Sequence, residues 1–432
     1  MTFQKISTLF ALFLAVTVSA QKLSRTEKKI VSTIEKNRGE AIGFLEKVVN
    51  INSGTLNAKG VKEVGMVFKD AFDNIGFETT WIEMPAEMHR GGHLFAETKG
   101  TKGKKLLLIG HLDTVFEEDS PFQTFEMIND STAHAPGGND MKGGDVIMLY
   151  ALKALEENGL LKDAQIIVAY TGDEESTGKP LSISRKDLID AAKRSDIALG
   201  FESSTGFNYA TVARRGASGW SVEVEGKRAH SSGIFSENTG AGAIFEMSRI
   251  LHQFYTDVKG EDLLTFNPGV LLGGTFVNYD ELTSKGDAFG KTNVVAQKAV
   301  VKGGLRFISE EQKERARDKM REIVTNNLPQ TSATVSFTDS YPAMGPTEGN
   351  LALLSQFNQV SLDLGQGEVL AYDPGRRGAA DLSFVAEYVD GLDGLGTMGS
   401  GAHTPQETVN LNTIEALTKR TAIMIYRLIN SK

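Results

Sequence analysis

The chain of 432 residues contains no cysteine. It therefore forms no disulfide bond and carries no cysteine-linked lipid anchor, so its core has to hold the fold without covalent cross-links. Internal repeats and long low-complexity tracts are also absent, as is typical of an ordinary globular protein. Basic residues (46 Lys and Arg) are fewer than acidic ones (55 Asp and Glu), which gives a net charge of -9. This acidic balance argues against nucleic acids and anionic membranes as partners.

The first 20 residues differ in composition from the rest of the chain. Lys5 is followed by an apolar run over residues 6–18 and by the small residues "VSA", which is the layout of a signal peptide cleaved after Ala20. A membrane anchor is the competing interpretation, but the run is shorter than the ~20 residues that a bilayer span needs. We therefore predict an exported protein, periplasmic or secreted, without a stable membrane anchor.

Helix and strand patterns alternate in the first half of the chain. Residues 35–51 and 61–77 have helical spacing, residues 104–115 and 164–171 contain apolar runs typical of buried strands, and a glycine pair opens a helix within residues 140–159. Such alternation predicts an α/β domain with a mostly parallel sheet flanked by helices.

The pattern changes near residue 214. The segment "GWSVEVEG" alternates apolar and polar side chains, as a half-buried strand does, and the strands and helices after it follow an order typical of an antiparallel sheet with two helices. Beyond this insert the first pattern resumes. We therefore predict one larger domain in two parts, residues 21–213 and 342–432, interrupted by a smaller α+β domain at residues 214–341.

Side chains that can bind a metal follow the predicted strands of the larger domain. They are His111 and Asp113 in "GHLDTV", Asp140 in "NDMKGG", Glu174 and Glu175 in "GDEE", Glu202 in "GFESS" and His403 in "GSGAH". In an open α/β sheet the carboxyl ends of the strands line one crevice, where ligands bind. Two histidines and several carboxylates collected there form a nitrogen-and-oxygen set suited to zinc. A bound cation would also offset the repulsion between neighbouring carboxylates.

Each of these residues has an ordinary interpretation when it is taken alone. An acidic loop such as "TGDEESTG" is usually solvated, and a lone histidine is more often structural than a ligand. Asp173 is expected to be only a loop or cap residue. The remaining histidines follow no partner pattern and are expected to be surface or core residues; they are His89, His93, His134 and His252.

The five motifs, in this order, resemble those of a zinc hydrolase family. It includes glutamate carboxypeptidase, aminoacylase, acetylornithine deacetylase and succinyl-diaminopimelate desuccinylase. The similarity runs from about residue 25 to residue 432, with the insert included, and Glu202 favours the glutamate carboxypeptidase branch because some family dipeptidases carry aspartate at this position. The resemblance implies two zinc ions per chain, with Co²⁺ or Mn²⁺ as substitutes. It also implies that the insert is a lid and dimerisation domain, and hence a homodimer.

The resemblance implies a role for each residue of the predicted metal site. His111 and Glu202 would bind one zinc ion, Glu175 and His403 the other, and Asp140 would bridge both.

Two further acids of the motifs would act without binding metal. Asp113 would accept a hydrogen bond from the His111 imidazole and fix its tautomer. Glu174 would be the general base, which takes a proton from the attacking water and returns it to the leaving amine. If the chain is locally extended, Glu174 and Glu175 point to opposite faces, which suits one base and one ligand.

The insert contributes candidates of its own through the resemblance. His230 in "GKRAHSSG" resembles the family's donor to the tetrahedral oxyanion and would reach across a dimer. Asn293 and Arg306 resemble its ligands for the substrate carboxylate, a task that suits the planar fork of arginine. The family usually has an acid two residues before this arginine, whereas this chain has Gly304. The competing interpretation of Arg306 is an exposed strand arginine with a solvated head.

The segment "GRRGAADLSF" resembles the family's glycine-rich loop with an aspartate, here Asp381. Gly375, Gly378 and the neighbouring arginines would line the pocket for the substrate carboxylate.

Together these features predict an exported, zinc-dependent metallopeptidase of carboxypeptidase-like specificity. It would cleave an amide bond in small peptides or N-acyl amino acids that carry a free carboxylate. Dipeptidase, aminopeptidase or aminoacylase specificity stays open as an alternative. An inactive homologue that only binds its ligand is a minor alternative, since all five expected ligands are present.

Overall fold

The computed structural model of the chain describes residues 23–281 and 283–431. The predicted signal peptide, residues 1–20, lies outside them. Within the described part of the chain, no helix is both long and apolar enough to cross a bilayer.

The helices carry apolar faces and mostly begin at polar caps. Ser24, for example, accepts the N–H of Glu27, and the Glu27 carboxylate accepts the N–H of Ser24, a reciprocal arrangement that satisfies two donors left free at the start of a helix. The α-helices of the described residues are α1 (Arg25–Val49), α2 (Ala58–Asn74), α3 (Gly143–Glu157), α4 (Leu181–Ser184), α5 (Lys186–Ala192), α6 (Ala243–Gln253), α7 (Glu310–Thr325), α8 (Glu348–Asp363) and α9 (Leu411–Ile429).

The strands form two larger sheets and three small ones. In chain order the strands of the described residues are β1 (Glu78–Ile82), β2 (His93–Glu97), β3 (Lys102–His111), β4 (Glu126–Asn129), β5 (Thr132–His134), β6 (Ala164–Thr171), β7 (Ile197–Gly200), β8 (Tyr209–Ala210), β9 (Gly216–Gly226), β10 (Thr265–Gly274), β11 (Phe276–Asp280), β12 (Lys285–Phe289), β13 (Lys298–Phe307), β14 (Thr331–Asp339), β15 (Leu370–Ala371), β16 (Asp390–Leu392), β17 (Gly399–Ser400) and β18 (Thr408–Asn410).

The larger domain is built on a six-stranded sheet in the order β1-β2-β6-β3-β7-β16. Strands β6, β3, β7 and β16 run parallel, and β1 and β2 add antiparallel pairs at one edge. In β3, Leu106 and Leu108 pack in the core with α1, α3 and α9, while Leu107 and Ile109 pack in the core on the opposite face. Burial on both faces explains the near-continuous apolar run of this strand. The predicted α/β architecture is confirmed.

The insert has an antiparallel sheet in the order β10-β13-β9-β14. Alternate residues of β9, Trp220, Val222 and Val224, pack with Met247 of α6 and Met320 of α7 in a separate core. The hairpin of β11 and β12 forms a separate two-stranded sheet that lies near β10, and the sequence patterns did not resolve it. The predicted limits of the two domains stay predictions.

The segment that enters the insert and the segment that leaves it lie side by side. Arg214 N donates to Met344 O at 2.8 Å, and Met344 N donates to Arg214 O at 3.0 Å. Beyond the insert, β16 pairs with β7, so the C-terminal part of the chain completes the same sheet that the N-terminal part begins.

Candidate metal site

The predicted ligands meet at the carboxyl edge of the larger sheet. His111 is the last residue of β3, which lies between β6 and β7. The loop after β6 carries Glu174 and Glu175, and the loop after β7 carries Glu202. Because these three strands are parallel, the side chains that follow them reach the same edge, with the imidazole in the middle.

The His111 ring faces two carboxylates. Its Nε2 atom lies 3.5 Å from Asp140 Oδ1 and 3.5 Å from Glu202 Oε1. On the other side, Nδ1 lies 3.0 Å from the main-chain oxygen of Asp113 and 3.4 Å from Asp113 Oδ1. Donation from Nδ1 to the carbonyl leaves Nε2 with a free lone pair, as a metal ligand requires.

Asp140 lies between both histidines. Its Oδ1 atom faces His111, and its Oδ2 atom lies 3.1 Å from His403 Nε2. The same His403 nitrogen lies 3.1 Å from Glu175 Oε2. Asp140 belongs to the turn Gly138–Lys142 ahead of α3 and has non-helical dihedral angles of φ -124° and ψ 91°.

The donor set passes a geometric test for zinc. Neighbouring corners of a zinc tetrahedron are about 3.3–3.6 Å apart for bonds of about 2.0–2.2 Å. The four distances from His111 and His403 to their carboxylates are 3.1–3.5 Å. Two buried atoms that face this space, His111 Nε2 and Glu175 Oε1, have no hydrogen-bond partner in the described chain. A cation would give both of them one.

Ligand atoms of the site fall into two close sets. In one set His111, Asp140 and Glu175 lie within 4.8 Å of one another, and in the other His111, Glu174 and Glu202 do. Glu174 thus lies close enough to the other ligand atoms to act either as a metal ligand or as a base for a metal-bound water.

The electrostatics of the site call for positive charge. Burial raises the pKa of Glu174 well above its ordinary value, and the neighbouring Glu202 carboxylate adds to that rise. Burial opposes a charge on His111, yet the carboxylates of Asp113, Asp140 and Glu202 raise the pKa of His111 well above its usual range. Protonated His111 and the guanidinium groups of Arg214 and Arg377 supply part of the counter-charge. A divalent cation would take the place of the His111 proton and favour ionised carboxylates.

Asp113 holds the acidic loop from behind. Its Oδ1 accepts the N–H of Glu174 at 2.9 Å, and its Oδ2 accepts the N–H of Glu175 at 3.0 Å. Oδ2 also accepts the hydroxyl of Thr55 at 2.6 Å, and the carboxylate is fully buried. The carboxylate therefore positions the backbone of both glutamates, while the main-chain carbonyl of Asp113 provides the nearest acceptor for His111.

The structure corrects the expectation for Asp173. This residue does accept the N–H of Gly178 at 2.8 Å, as a loop residue would. It is also fully buried and forms an ion pair with Arg185, which pairs through Nε with Asp381 Oδ1 at 2.8 Å. Asp381 additionally accepts the hydroxyl of Thr171, so it serves this interior network rather than an open loop.

Glu407 is a functional candidate that the motifs did not reveal. It is buried, and its carboxylate accepts the N–H groups of Gly137 at 3.2 Å, Asn139 at 2.8 Å and Asp140 at 3.0 Å. It lies four residues beyond His403, so one loop supplies a metal-facing imidazole and also fixes the backbone of the bridging aspartate. Only its short spacing from His403 could have indicated it.

The insert candidates lie apart from the metal-facing residues in this single chain. His230 and Asn293 come together, since Ser231 N donates to Asn293 O at 2.9 Å. His230 Nδ1 accepts the N–H of Ser232 at 3.2 Å, which assigns the proton of the neutral ring to Nε2, the tautomer that donates outward. Among the described residues, no hydrogen bond or ion pair joins either residue to the metal-facing set.

Arg306 and Gly378 also occupy exposed positions. Arg306 follows the buried Leu305 on β13 and lies opposite Thr265 and Ala217 in the sheet register. The carbonyl of Gly378 accepts a hydrogen bond from Arg214 Nη1 at 2.9 Å, so this loop connects to the edge of the insert.

Comparison with known sequences supports the chemistry of this site. A family model described as Peptidase family M20/M25/M40 matches residues 107–427. Carboxypeptidase G2 from Pseudomonas sp. (strain RS-16) is 27% identical over 410 residues, which cover 93% of this chain and 92% of that protein.

Solved structures share the fold at low sequence identity. A tripeptidase from Staphylococcus aureus superposes with a TM-score of 0.66 at 19% identity and covers 91% of this chain and 99% of its own. An M20 family metallo-carboxypeptidase from Sulfolobus solfataricus superposes with a TM-score of 0.63 at 16% identity and covers 90% of this chain and 99% of its own. The insert is therefore part of the shared architecture, since the matches span nearly the whole of both chains.

We expect Asp113→Asn to weaken metal binding about 10–100-fold, the usual cost of losing a group that orients ligands. In the wild type, the two oxygens of the Asp113 carboxylate accept the main-chain N–H groups of Glu174 and Glu175. The asparagine amide would replace one of these oxygens by an NH₂ group, so two donors would face each other. Competition with a chromophoric chelator measures the affinity. Asp119→Asn, an exposed change, is the matched control, and an unchanged affinity for the Asp113 variant would contradict the assigned role.

Proposed function

The chain belongs to Peptidase family M20/M25/M40, and from that premise we propose that it cleaves an amide bond in small peptides or N-acyl amino acids with a free carboxylate. Membership confirms the family resemblance of the ordered motifs and makes the chain a zinc-dependent peptidase. The observation that best supports the proposed reaction is the placement of Glu174 beside His111, whose ring shares Asp140 with His403.

We assign the ligands as two sets that share one carboxylate. His111, Asp140 and Glu202 would hold one zinc ion, and Asp140, Glu175 and His403 would hold the second. The distances from each imidazole to its two carboxylates support this division. Co²⁺ or Mn²⁺ would suit the same oxygen and nitrogen donors.

Glu174 is the proposed general base. Zinc, when bound, polarises the substrate carbonyl and makes water a stronger acid. The Glu174 carboxylate then accepts the proton of the attacking water and delivers it to the leaving amine. The Tyr341 hydroxyl donates to the main-chain oxygen of Glu174, and the Asp113 carboxylate accepts the main-chain N–H of Glu174. The backbone of the base is therefore fixed by two hydrogen bonds.

Substrate contacts are proposed for the insert and the loop before Asp381. Arg306 and Asn293 would bind a carboxylate of the substrate, with Gly378 lining the pocket. His230, with its proton on Nε2, would donate to the oxyanion of the tetrahedral intermediate. Because His230 and Asn293 lie apart from the metal-facing residues of their own chain, we propose that a second copy brings them to the site.

Carboxypeptidase specificity is favoured over the alternatives by the relative that covers most of the chain, carboxypeptidase G2. A dipeptidase, aminopeptidase or aminoacylase specificity would use the same metal-facing residues with a different pocket. A panel of dipeptides and N-acyl amino acids separates these activities by the product released. Bound metal without turnover on any member of the panel would instead favour a binding homologue.

We further propose that the protein is exported to the periplasm or secreted, on the basis of the signal-peptide pattern in residues 1–20. Small peptides or acylated amino acids from outside the cytoplasm would then be its substrates.

An exposed apolar surface on the insert supports the homodimer. Phe235, Ile244, Phe245 and Leu271 are 48–69% exposed, and we call these four residues the insert patch. The rings of Phe235 and Phe245 pack with centroids 5.6 Å apart and planes tilted by 56°, and Leu271 lies on β10 at the edge of the sheet. Contiguous exposed apolar side chains of this kind are typical of an interface.

We expect Glu174→Gln to retain bound zinc and to lower kcat by about 10²–10⁴-fold, the contribution of a positioned base. Elemental analysis of the purified protein measures the metal, and hydrolysis of the best panel substrate measures turnover. Glu118→Gln is the matched control, since that side chain is exposed. Wild-type turnover in the Glu174 variant would contradict the assignment of the base.

We expect Phe245→Asp to convert a homodimer to a monomer, because it places a charge within the insert patch. Sedimentation velocity measures the oligomeric state. If His230 acts across the interface, the loss of the dimer should also lower turnover. Leu351→Asp, at an exposed residue of α8, is the control and should stay dimeric. A monomeric wild-type protein would refute the proposed assembly.

A further inference from the structure

The last residue of the insert contacts the proposed base through its side chain. Tyr341 follows β14 by two residues, and its main-chain oxygen accepts the N–H of Ala217 in β9 at 2.8 Å. Its backbone thus continues the pairing of the insert sheet, in which Asp339 lies opposite Ser218. Its hydroxyl, in contrast, donates to the main-chain oxygen of Glu174 in the larger domain. One residue therefore joins the insert sheet to the loop that carries the base.

The Tyr341 ring packs against side chains of the larger domain. Its centroid lies 5.0 Å from that of the Phe384 ring, and the Arg185 guanidinium lies 5.2 Å from the Phe384 centroid. Arg185 also forms the buried ion pair with Asp173, the residue before Glu174. Burial raises the pKa of the Tyr341 hydroxyl well above its ordinary value, and the neighbouring Glu174 charge adds to the rise. The hydroxyl therefore keeps its proton and acts as a donor.

A cleft of about 240 Å³ lies beside this contact, between the insert and the larger domain. Residues of both domains line it, among them Leu181, Ser182 and Ile189 of the larger domain and Lys313, Ser340 and Tyr341 of the insert. Protein interiors are close-packed, so an unfilled cleft at a domain junction leaves the insert room to shift relative to the larger domain. Such a shift would reach Glu174 through the Tyr341 hydroxyl, because the backbone of Tyr341 moves with the insert sheet.

We propose that Tyr341 is a positioning residue that transmits the orientation of the insert to the base. Its hydroxyl holds the carbonyl of Glu174, while the Asp113 carboxylate holds the N–H of the same residue. A shift of the insert pulls on that carbonyl and turns the Glu174 side chain relative to the metal-facing residues. Proton transfer needs hydrogen-bond distance, so a small displacement of the base lowers turnover. This inference rests on the proposed role of Glu174 as the base.

The variant Tyr341→Phe tests the hydroxyl alone, because it keeps the ring that packs against Phe384. We expect kcat to fall about 10-fold while KM and bound zinc stay unchanged, since the base is displaced but no ligand is lost. Tyr170→Phe is the matched control. It also removes a phenol hydrogen bond to a main-chain oxygen, that of Asp145 at 2.9 Å, but within the larger domain. Wild-type kcat in Tyr341→Phe, or a loss of zinc from it, would overturn the positioning role.

A bulky side chain in the cleft tests the transmission from the insert. Ser182→Phe adds a ring to the wall formed by the larger domain and should displace the insert, whereas Ser355→Phe, at an exposed residue of α8, is the control. We expect Ser182→Phe to lower kcat in the wild-type background. It should have little further effect in Tyr341→Phe, because the connection is already lost there. Wild-type kcat in Ser182→Phe, or losses that add in the double variant, would overturn the transmission.

Hydrogen exchange at the acidic loop separates this inference from the proposed function, because it needs no turnover. In the zinc-loaded protein, Tyr341→Phe should speed exchange of the Glu174 and Glu175 amides about 3–10-fold, the value of one hydrogen bond, and Tyr170→Phe should leave it unchanged. If no peptide is cleaved but exchange still rises, the proposed function fails and the contact stands as a restraint on the loop. Cleavage by the wild type, with neither exchange nor kcat altered in Tyr341→Phe, would refute the positioning role alone.

Discussion

Repulsion among carboxylates is the constraint on which this structure depends. Five of them meet at one edge of one sheet, namely Asp113, Asp140, Glu174, Glu175 and Glu202, and two imidazoles lie among them. Ordinary surface loops relieve such crowding through water, but these side chains are buried or half-buried. The site therefore holds an excess of acidic groups that bound protons or bound cations must offset, and the pKa of Glu174, raised first by burial, reflects that excess. The nitrogen and oxygen donors of the site, together with membership of a metallopeptidase family, fit zinc as that cation.

The acids of the site divide into those that face the cation space and those that hold the backbone. Asp113 and Glu407 each accept main-chain N–H groups of residues that face the metals, and both are buried. Main-chain N–H donors favour the ionised form of a carboxylate, and the carboxylate in turn fixes the loop that donates to it. Burial nevertheless raises the pKa of Glu407 to about 7. Arg185 supports the same loop by donation: its guanidinium pairs with the buried carboxylates of Asp173 and Asp381. The ligand loops are therefore organised by interior charges rather than by zinc alone.

Local sequence patterns correctly predicted the elements whose structure depends on neighbouring residues. The apolar run before His111 became the doubly buried strand β3, and the alternation in β9 became one face of the insert core. Because most of the motifs follow predicted parallel strands, the sequence also predicted that the metal-facing residues meet at one edge of the sheet. Partners distant in sequence were beyond such patterns: Thr55 and Glu407 reach the site from 58 and 267 residues away in the chain. No periodicity reports a contact of that kind. The same holds for Arg185, which lies at the turn between α4 and α5 and belongs to no motif.

The interruption of the larger domain sets an order of assembly. Every metal-facing residue except one precedes the insert, and His403 follows Glu202 by roughly 200 residues. Synthesis proceeds from the N-terminus, so most ligands exist in the nascent chain long before the last one does. Until the chain beyond the insert folds back as β16 against β7, the acidic edge has neither its second imidazole nor Glu407. A metal site that needs His403 would therefore be complete only after both halves of the interrupted domain have docked, so stable metal binding would come late in biogenesis.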